Sequence, residues 1–202
     1  MARMARTKNR PIERRLVERI SLRLAGHPVT PAISAAFYQA EEEALSVPII
    51  YDNPRPRFFS ALDSESLSLQ CDNSGRLIFV HIKKPRRLWI GERGVSPVPS
   101  PPADIRFLDF RCRIPEPEFL CDAKKQRLLV RFSPVHSSSS YQVGDNVFLY
   151  MSDESVLTGM YIDLVNSDRA GKKMAVWKRL VAEGSSVMTP EEERMKLAGF
   201  GE

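Results

Sequence analysis

At 202 residues and 43% hydrophobic side chains, the chain can bury a core as one domain or as two small subdomains; 27% charged and 8% aromatic residues exclude a disordered or fibrous protein. No apolar run approaches the roughly 18 residues of a bilayer-crossing helix, so no transmembrane segment is expected. The net charge of +5 is a local property: residues 1–23 hold eight of the 30 basic side chains and two of the 25 acidic ones, and the rest is close to neutral.

Cys71, Cys112 and Cys121 are odd in number, form no CxxC pair and sit in strand-like runs. With no apolar signal segment at the N-terminus, reduced, buried thiols inside the cell are expected, in cytoplasm or nucleus.

Residues 1–46 read as a basic arm and two helices. In the first, Ile12, Leu16, Ile20 and Leu24 form a stripe at helical spacing, and Arg14, Arg15, Arg19 and Arg23 cover the other faces. Three roles fit it: a surface helix, a mitochondrial import segment, or an arm for nucleic acid or an anionic membrane. The second helix opens at Thr30-Pro31, an N-cap followed by proline, and ends before Pro48.

Residues 47–93 read as a β unit. The run Leu67–Ile82 (LSLQCDNSGRLIFVHI) alternates on both sides of Asp72-Asn73-Ser74-Gly75, a strong turn signal. Lys83-Lys84-Pro85-Arg86-Arg87 follows; with Arg14, Arg15 and Arg19 it makes a candidate basic contact patch. Residues 94–104, rich in Pro and Ser, read as an extended connector.

Residues 105–166 read as a second β unit, with the period-two run Leu108, Phe110, Cys112, Ile114 and a closing hairpin, Val147–Val165 (VFLYMSDESVLTGMYIDLV). Residues 167–202 read as C-terminal helices, with Met174, Trp177 and Val181 as a stripe and Thr189-Pro190-Glu191-Glu192 as a capping box.

The two units align. Asp52 on Asp122 brings Phe58 to Leu128, and Leu67, Leu69 and Ile82 match Val147, Leu149 and Ile162, with the difference in length absorbed by the serine loop His136–Ser140. Asp52, Asp72 and Asp122 are expected to start turns, Gly75 to complete one, and Gly159 to mark a bulge or a close backbone approach. The expected fold is α+β: two tandem antiparallel β units related by a pseudo-twofold, flanked by N- and C-terminal helices.

These residues carry a likeness to a known family. Tyr51-Asp52, Phe58-Phe59, Asp72-Asn73-Ser74-Gly75 and Val80-His81-Ile82 in one copy, and Asp122, Leu128-Leu129-Val130, Ser152 to Ser155 and Gly159-Met160-Tyr161-Ile162 in the other, resemble the small, mostly bacterial β domains of the domain-of-unknown-function 2283 family. The chain departs from that pattern where Phe79 stands for glycine, Leu120-Cys121 for tyrosine and Ser155 for the turn glycine. The resemblance implies an antiparallel β unit and brings no activity.

His27, His81 and His136 are scattered, and no HExxH, phosphate loop or nucleophile elbow occurs. No enzyme, metal site or cofactor is expected. His81 reads as an outward, solvated side chain. The functional expectation is a β-domain protein acting by protein–protein contact or as a homo-oligomer. The alternative is nucleic-acid association through the basic arm and the Lys83–Arg87 cluster.

Overall fold

The computed structural model describes residues 14–26, 30–51 and 57–165. Among these, the backbone forms strands and a single 3-10 turn, Arg86–Leu88, with no α-helix. The α+β expectation is corrected accordingly: both N-terminal helices are replaced by strands. The helices expected over residues 167–202 lie outside the described residues.

Spacing explains the first error. Ile12, Leu16, Ile20 and Leu24 are four apart, and a spacing of four keeps one parity, so a strand presents it as readily as a helix. Here only Leu22–Gly26 is strand (β1), and the stripe is divided: Ile20 is buried at 3% exposure, as is Leu22, while Leu16 and Leu24 stand out at 59% and 38%. The second helix is replaced by β2 (Ile33–Ser34), β3 (Phe37–Gln39) and the start of β4 (Ala44–Ile50).

Six of the seven β4 residues are buried, as a continuous apolar run in a central strand should be. Pro48 lies inside that strand and does not end it. The chain beside β4 keeps one register, Ile33 opposite Ile50 and Phe37 opposite Ser46. It is broken into β2 and β3 at Ala35-Ala36, where it passes Pro48, which has no N–H to give a ladder.

The first half continues with β5 (Phe58–Asp63), β6 (Leu67–Asp72) and β7 (Leu77–Ile82), an antiparallel meander whose last strand returns to β4. After β8 (Ile90–Gly91), β9 (Asp104–Phe107) and β10 (Cys112–Arg113), the pattern recurs. β11 (Glu118–Cys121) and β12 (Arg127–Arg131) form a hairpin, and β13 (Ser139–Gly144), β14 (Val147–Met151) and β15 (Leu157–Asp163) form a meander that returns to β12. Strand order is β5-β6-β7-β4-β3 in one sheet and β13-β14-β15-β12-β11 in the other.

The match extends to register. Gln70 faces Phe79 and Cys71 faces Leu77, a bulge; 80 residues later Tyr150 faces Gly159 and Met151 faces Leu157, the same bulge. The earlier part of the expected alignment is corrected. Leu128 pairs with Ile162 as Leu45 pairs with Ile82, so β12 matches β4, and Phe58 is not the counterpart of Leu128. Asp52 lies outside the described residues. The run Leu108 to Ile114 is not one strand either: Arg111 has φ 51°, and Leu108 and Phe110 are exposed while Cys112 and Ile114 are buried.

A two-stranded ribbon joins the copies. In it β1 runs antiparallel to β9, with Leu22 opposite Phe107. Phe107 N–H donates to Gly75 O, and Leu22 N–H donates to Ser155 O, both at 2.8 Å. Each strand of the ribbon therefore docks on the turn of a different copy. The chain then crosses over: β10, just after β9, pairs in parallel with β5, and Ala32 bridges Val143 and Asp145 beside β13. β8, which follows the first copy, adds to β11 of the second.

One apolar cluster draws on both sheets and the ribbon, including Leu45, Leu69 and Val80, then Ile105 and Phe107, then Leu128, Leu149 and Ile162. The free thiols of Cys71, Cys112 and Cys121 are buried in it. A second, smaller cluster covers the far face of the second sheet with Val95, Leu120 and Tyr161, so the connector does contribute to burial. Tyr161 is 1% exposed, and among the described residues its hydroxyl finds no hydrogen-bond partner.

Two stability predictions follow from this packing. A methyl group on Gly75 would lie 2.3 Å from the Phe107 carbonyl oxygen, at φ 85°. Gly75→Ala should therefore cost about 2–3 kcal/mol or more in denaturant melts. Ser155, its counterpart at φ 60°, carries the strain already, and Ser155→Gly should gain up to about 1 kcal/mol. Burial pushes the Tyr161 phenol up to about 12. The folded state then holds its proton where the unfolded state, near 10, loses it. This contribution is intact below pH ~10 and falls by about 3 kcal/mol as pH rises toward 12. Tyr161→Phe should flatten that alkaline loss and leave stability at pH 7 unchanged or slightly higher, measured by melts across pH 7–12.

Candidate interaction surface

The turn aspartates are occupied by their own backbone. Asp72 Oδ1 accepts from Ser74 N–H (2.8 Å), the Ser74 hydroxyl (2.7 Å) and Arg76 N–H (2.9 Å). Asp122 Oδ1 accepts from Gln126 N–H (2.7 Å) and Arg127 N–H (2.9 Å), with Lys125 at φ 53° closing the turn. In the second hairpin Ser152 stands where the first has Asp72, and its hydroxyl accepts from Val156 N–H at 3.3 Å. At Gly159 a Cβ would lie 3.1 Å from the Tyr150 ring and 3.3 Å from Leu129, so here the glycine accommodates a cross-strand aromatic.

The basic residues singled out from the sequence are divided among several places. Arg14 pairs with Asp63, Arg19 with Glu154 (3.0 Å) and Arg87 with Glu43. Arg15 is exposed, and its carbonyl accepts from Arg113 N–H. Lys83 is exposed and Lys84 is half-buried, its carbonyl taking the Trp89 indole N–H at 3.1 Å. Arg86 lies over Tyr38 and Trp89, at 5.6 and 5.9 Å from their ring centroids. Its guanidinium donates to Lys125 O, while Lys125 Nζ donates back to Arg86 O at 2.8 Å. Much of this cluster ties the β7–β8 link to the β11–β12 turn.

A deeper charged group braces the ribbon against the first copy's turn. Asp104 receives both Arg106 and Arg76, all three at most 16% exposed, and Arg106 also reaches Ser74. His81 is a correction: half-buried rather than solvated, it hydrogen-bonds Ser46 Oγ at 3.0 Å through Nδ1 and stacks on Phe79. No three His, Cys, Asp or Glu side chains among the described residues are grouped to hold a metal ion. Among the same residues, no helix is long and apolar enough to cross a membrane.

The surface that the sequence reading missed is aromatic. A bulge at Phe59 lets Phe58 face Asp72 and Ser60 face Cys71. Phe58 and Phe59 are left 62% and 42% exposed. Phe110, at 38%, meets Phe59 edge-on with ring centroids 5.7 Å apart, and the Arg111 guanidinium sits 5.1 Å over the Phe59 ring. Arg111 N–H is held by Ser60 Oγ at 2.7 Å, which fixes this loop to β5. Leu108, 47% exposed, lies on the same loop. The signal was present: two adjacent phenylalanines in a strand cannot both face one core.

Comparison with known proteins adds no assignment: no family model matches the chain, and no curated protein matches it.

The buried charges give the third prediction. Asp104→Ala would leave two largely buried guanidinium groups without their shared carboxylate, and should cost about 3 kcal/mol or more in a denaturant melt. Arg19→Ala removes an exposed pair at the corresponding point of the second copy and should cost less than about 1 kcal/mol.

Proposed function

We propose that the protein is a non-enzymatic interaction or assembly module, a pair of fused β units whose contact face is the aromatic group at Phe58, Phe59, Leu108 and Phe110. The observation that carries this reading is the meeting of exposed aromatics on β5 with Phe110 and a stacked arginine on the loop fixed to it. Exposed apolar groups of this kind mark interaction sites, and aromatic and Arg residues supply most of the binding energy where proteins meet. The likeness to the domain-of-unknown-function 2283 family belongs to the same proposal: it fits the two hairpins and implies no chemistry. Buried free thiols suit a reducing compartment, cytoplasm or nucleus. The alternative, nucleic acid bound through the basic arm, has less support: residues 1–13 of the arm lie outside the described residues, and Arg14, Arg19 and Arg87 already face carboxylates.

The test places a photo-crosslinking benzoylphenylalanine at position 58 in the source cells. A discrete adduct with a protein, either a second copy or another chain, is expected. Phe59→Ser with Phe110→Ser should abolish it while the melting temperature moves little, because both rings are already partly in water. No protein adduct, an adduct to nucleic acid, or one indifferent to the double substitution overturns the proposal.

A further inference from the structure

The duplication leaves one position filled in the first copy and open in the second. In the first, the chain leaves β4 at Ile50 and Tyr51 folds back: its hydroxyl donates to Leu77 O at 3.0 Å, and the Arg76 guanidinium lies 5.1 Å over its ring. In the second, counting on three residues from the last matched pair, Arg131 with Gly159 against Pro48 with Phe79, gives Pro134 as the counterpart of Tyr51, and the register of the hairpins puts Val156 and Leu157 where Arg76 and Leu77 are. A proline cannot reach back. The space stays open as a cavity of about 530 Å³, walled by Ile20, Phe132, Ser133, Val156, Leu157 and Thr158. Its mouth carries Arg19, His136 and Glu154.

The geometry points to a binding site for a phenolic ring, presented as a small molecule or as a tyrosine on a partner chain. The first copy is the template, showing what this framework holds at that point: an aromatic ring against the ribbon and the hairpin, its hydroxyl turned to a strand carbonyl. In the second copy the lining keeps apolar side chains, Ile20, Phe132 and Leu157, beside polar ones, Ser133, Ser138 and Thr158. His136 and Ser138, both exposed on the lining, can meet a polar tail. The volume exceeds what one ring needs, since a cavity near 150 Å³ accepts benzene, and it lies in the range of sites that hold larger ligands. This site is separate from the aromatic face at Phe58 and does not depend on it.

The experiment is a titration of the full chain with p-cresol, followed by amide NMR. Saturable shifts are expected, confined to residues 18–20, 132–138 and 152–158. Toluene, which lacks the hydroxyl, should bind at least fivefold more weakly. N-acetyl-tyrosinamide tests the peptide source: tighter binding than p-cresol assigns the site to a partner's tyrosine, and weaker binding assigns it to a small molecule. Pro134→Tyr restores the first copy's residue and should weaken p-cresol binding at least tenfold; Ser138→Trp, at an exposed point of the lining, should do the same should the first variant not fold. No saturable shifts, shifts scattered over the surface, toluene binding equal to p-cresol, or undiminished binding in a folded variant overturns the assignment.

Discussion

Two hydrogen bonds, from Phe107 N–H to Gly75 O and from Leu22 N–H to Ser155 O, fix the ribbon on the two hairpin turns. A turn carbonyl points usefully outward only because the residue carrying it adopts a positive φ, 85° at Gly75 and 60° at Ser155. The turn geometry inside each copy thus controls the contact between copies. A lone sheet of five short strands has an apolar face too large for water and too small to bury against itself. The ribbon supplies Ile20, Leu22, Ile105 and Phe107 to that face from between the copies, and the crossed segments at Ala32 and Cys112 keep the sheets from separating.

Much of the β architecture was legible in the sequence because the first strand of each hairpin alternates and a polar turn follows it, which fixes the face that strand buries. The bulge that Gln70 and Tyr150 share is what makes the 80-residue offset hold through the whole hairpin. What could not be read were segments whose partners lie far along the chain. β1 is a strand because Asp104–Phe107 pairs with it, and nothing within residues 12–26 announces that. β4 hid behind Pro48, which reads as a stop unless the interruption of the neighbouring line at Ala35-Ala36 is known. The misplaced Phe58–Leu128 equivalence came from the same cause: with β4 partly assigned to a helix, the next apolar strand took its place.

The candidate surface was less legible than the fold, for a different physical reason. Arginines near a chain end look like a contact patch when charge alone is counted. In three dimensions the short range of ion pairing decides, and Arg14, Arg19 and Arg87 each find a carboxylate far away in sequence. Arg86 is spent on two rings and a backbone carbonyl. By contrast, Phe58 and Phe59 gave a local signal, since a strand has two faces and only one was needed for the core. The bulge at Phe59 leaves both toward solvent.

Comparison of the two copies separates what holds the fold from what is free to differ. The positions that stay apolar in both are those that close the shared cluster, such as Leu69 with Leu149 and Ile82 with Ile162. Positions that diverge include Asp72 against Ser152, Phe79 against Gly159, and Tyr51 against Pro134. The first two divergences have a compensating neighbour. Where the first copy has the acidic turn, Arg106 and Asp104 of the ribbon gather around it; where the second has serine, Arg19 finds only the exposed Glu154. Where the second loses a side chain at strand position 159, Tyr150 lies across the gap from the facing strand. The replacement of Tyr51 stands apart in leaving an open volume, and an opening at the joint between a ribbon and a duplicated sheet is where a ligand can be held without rebuilding the core.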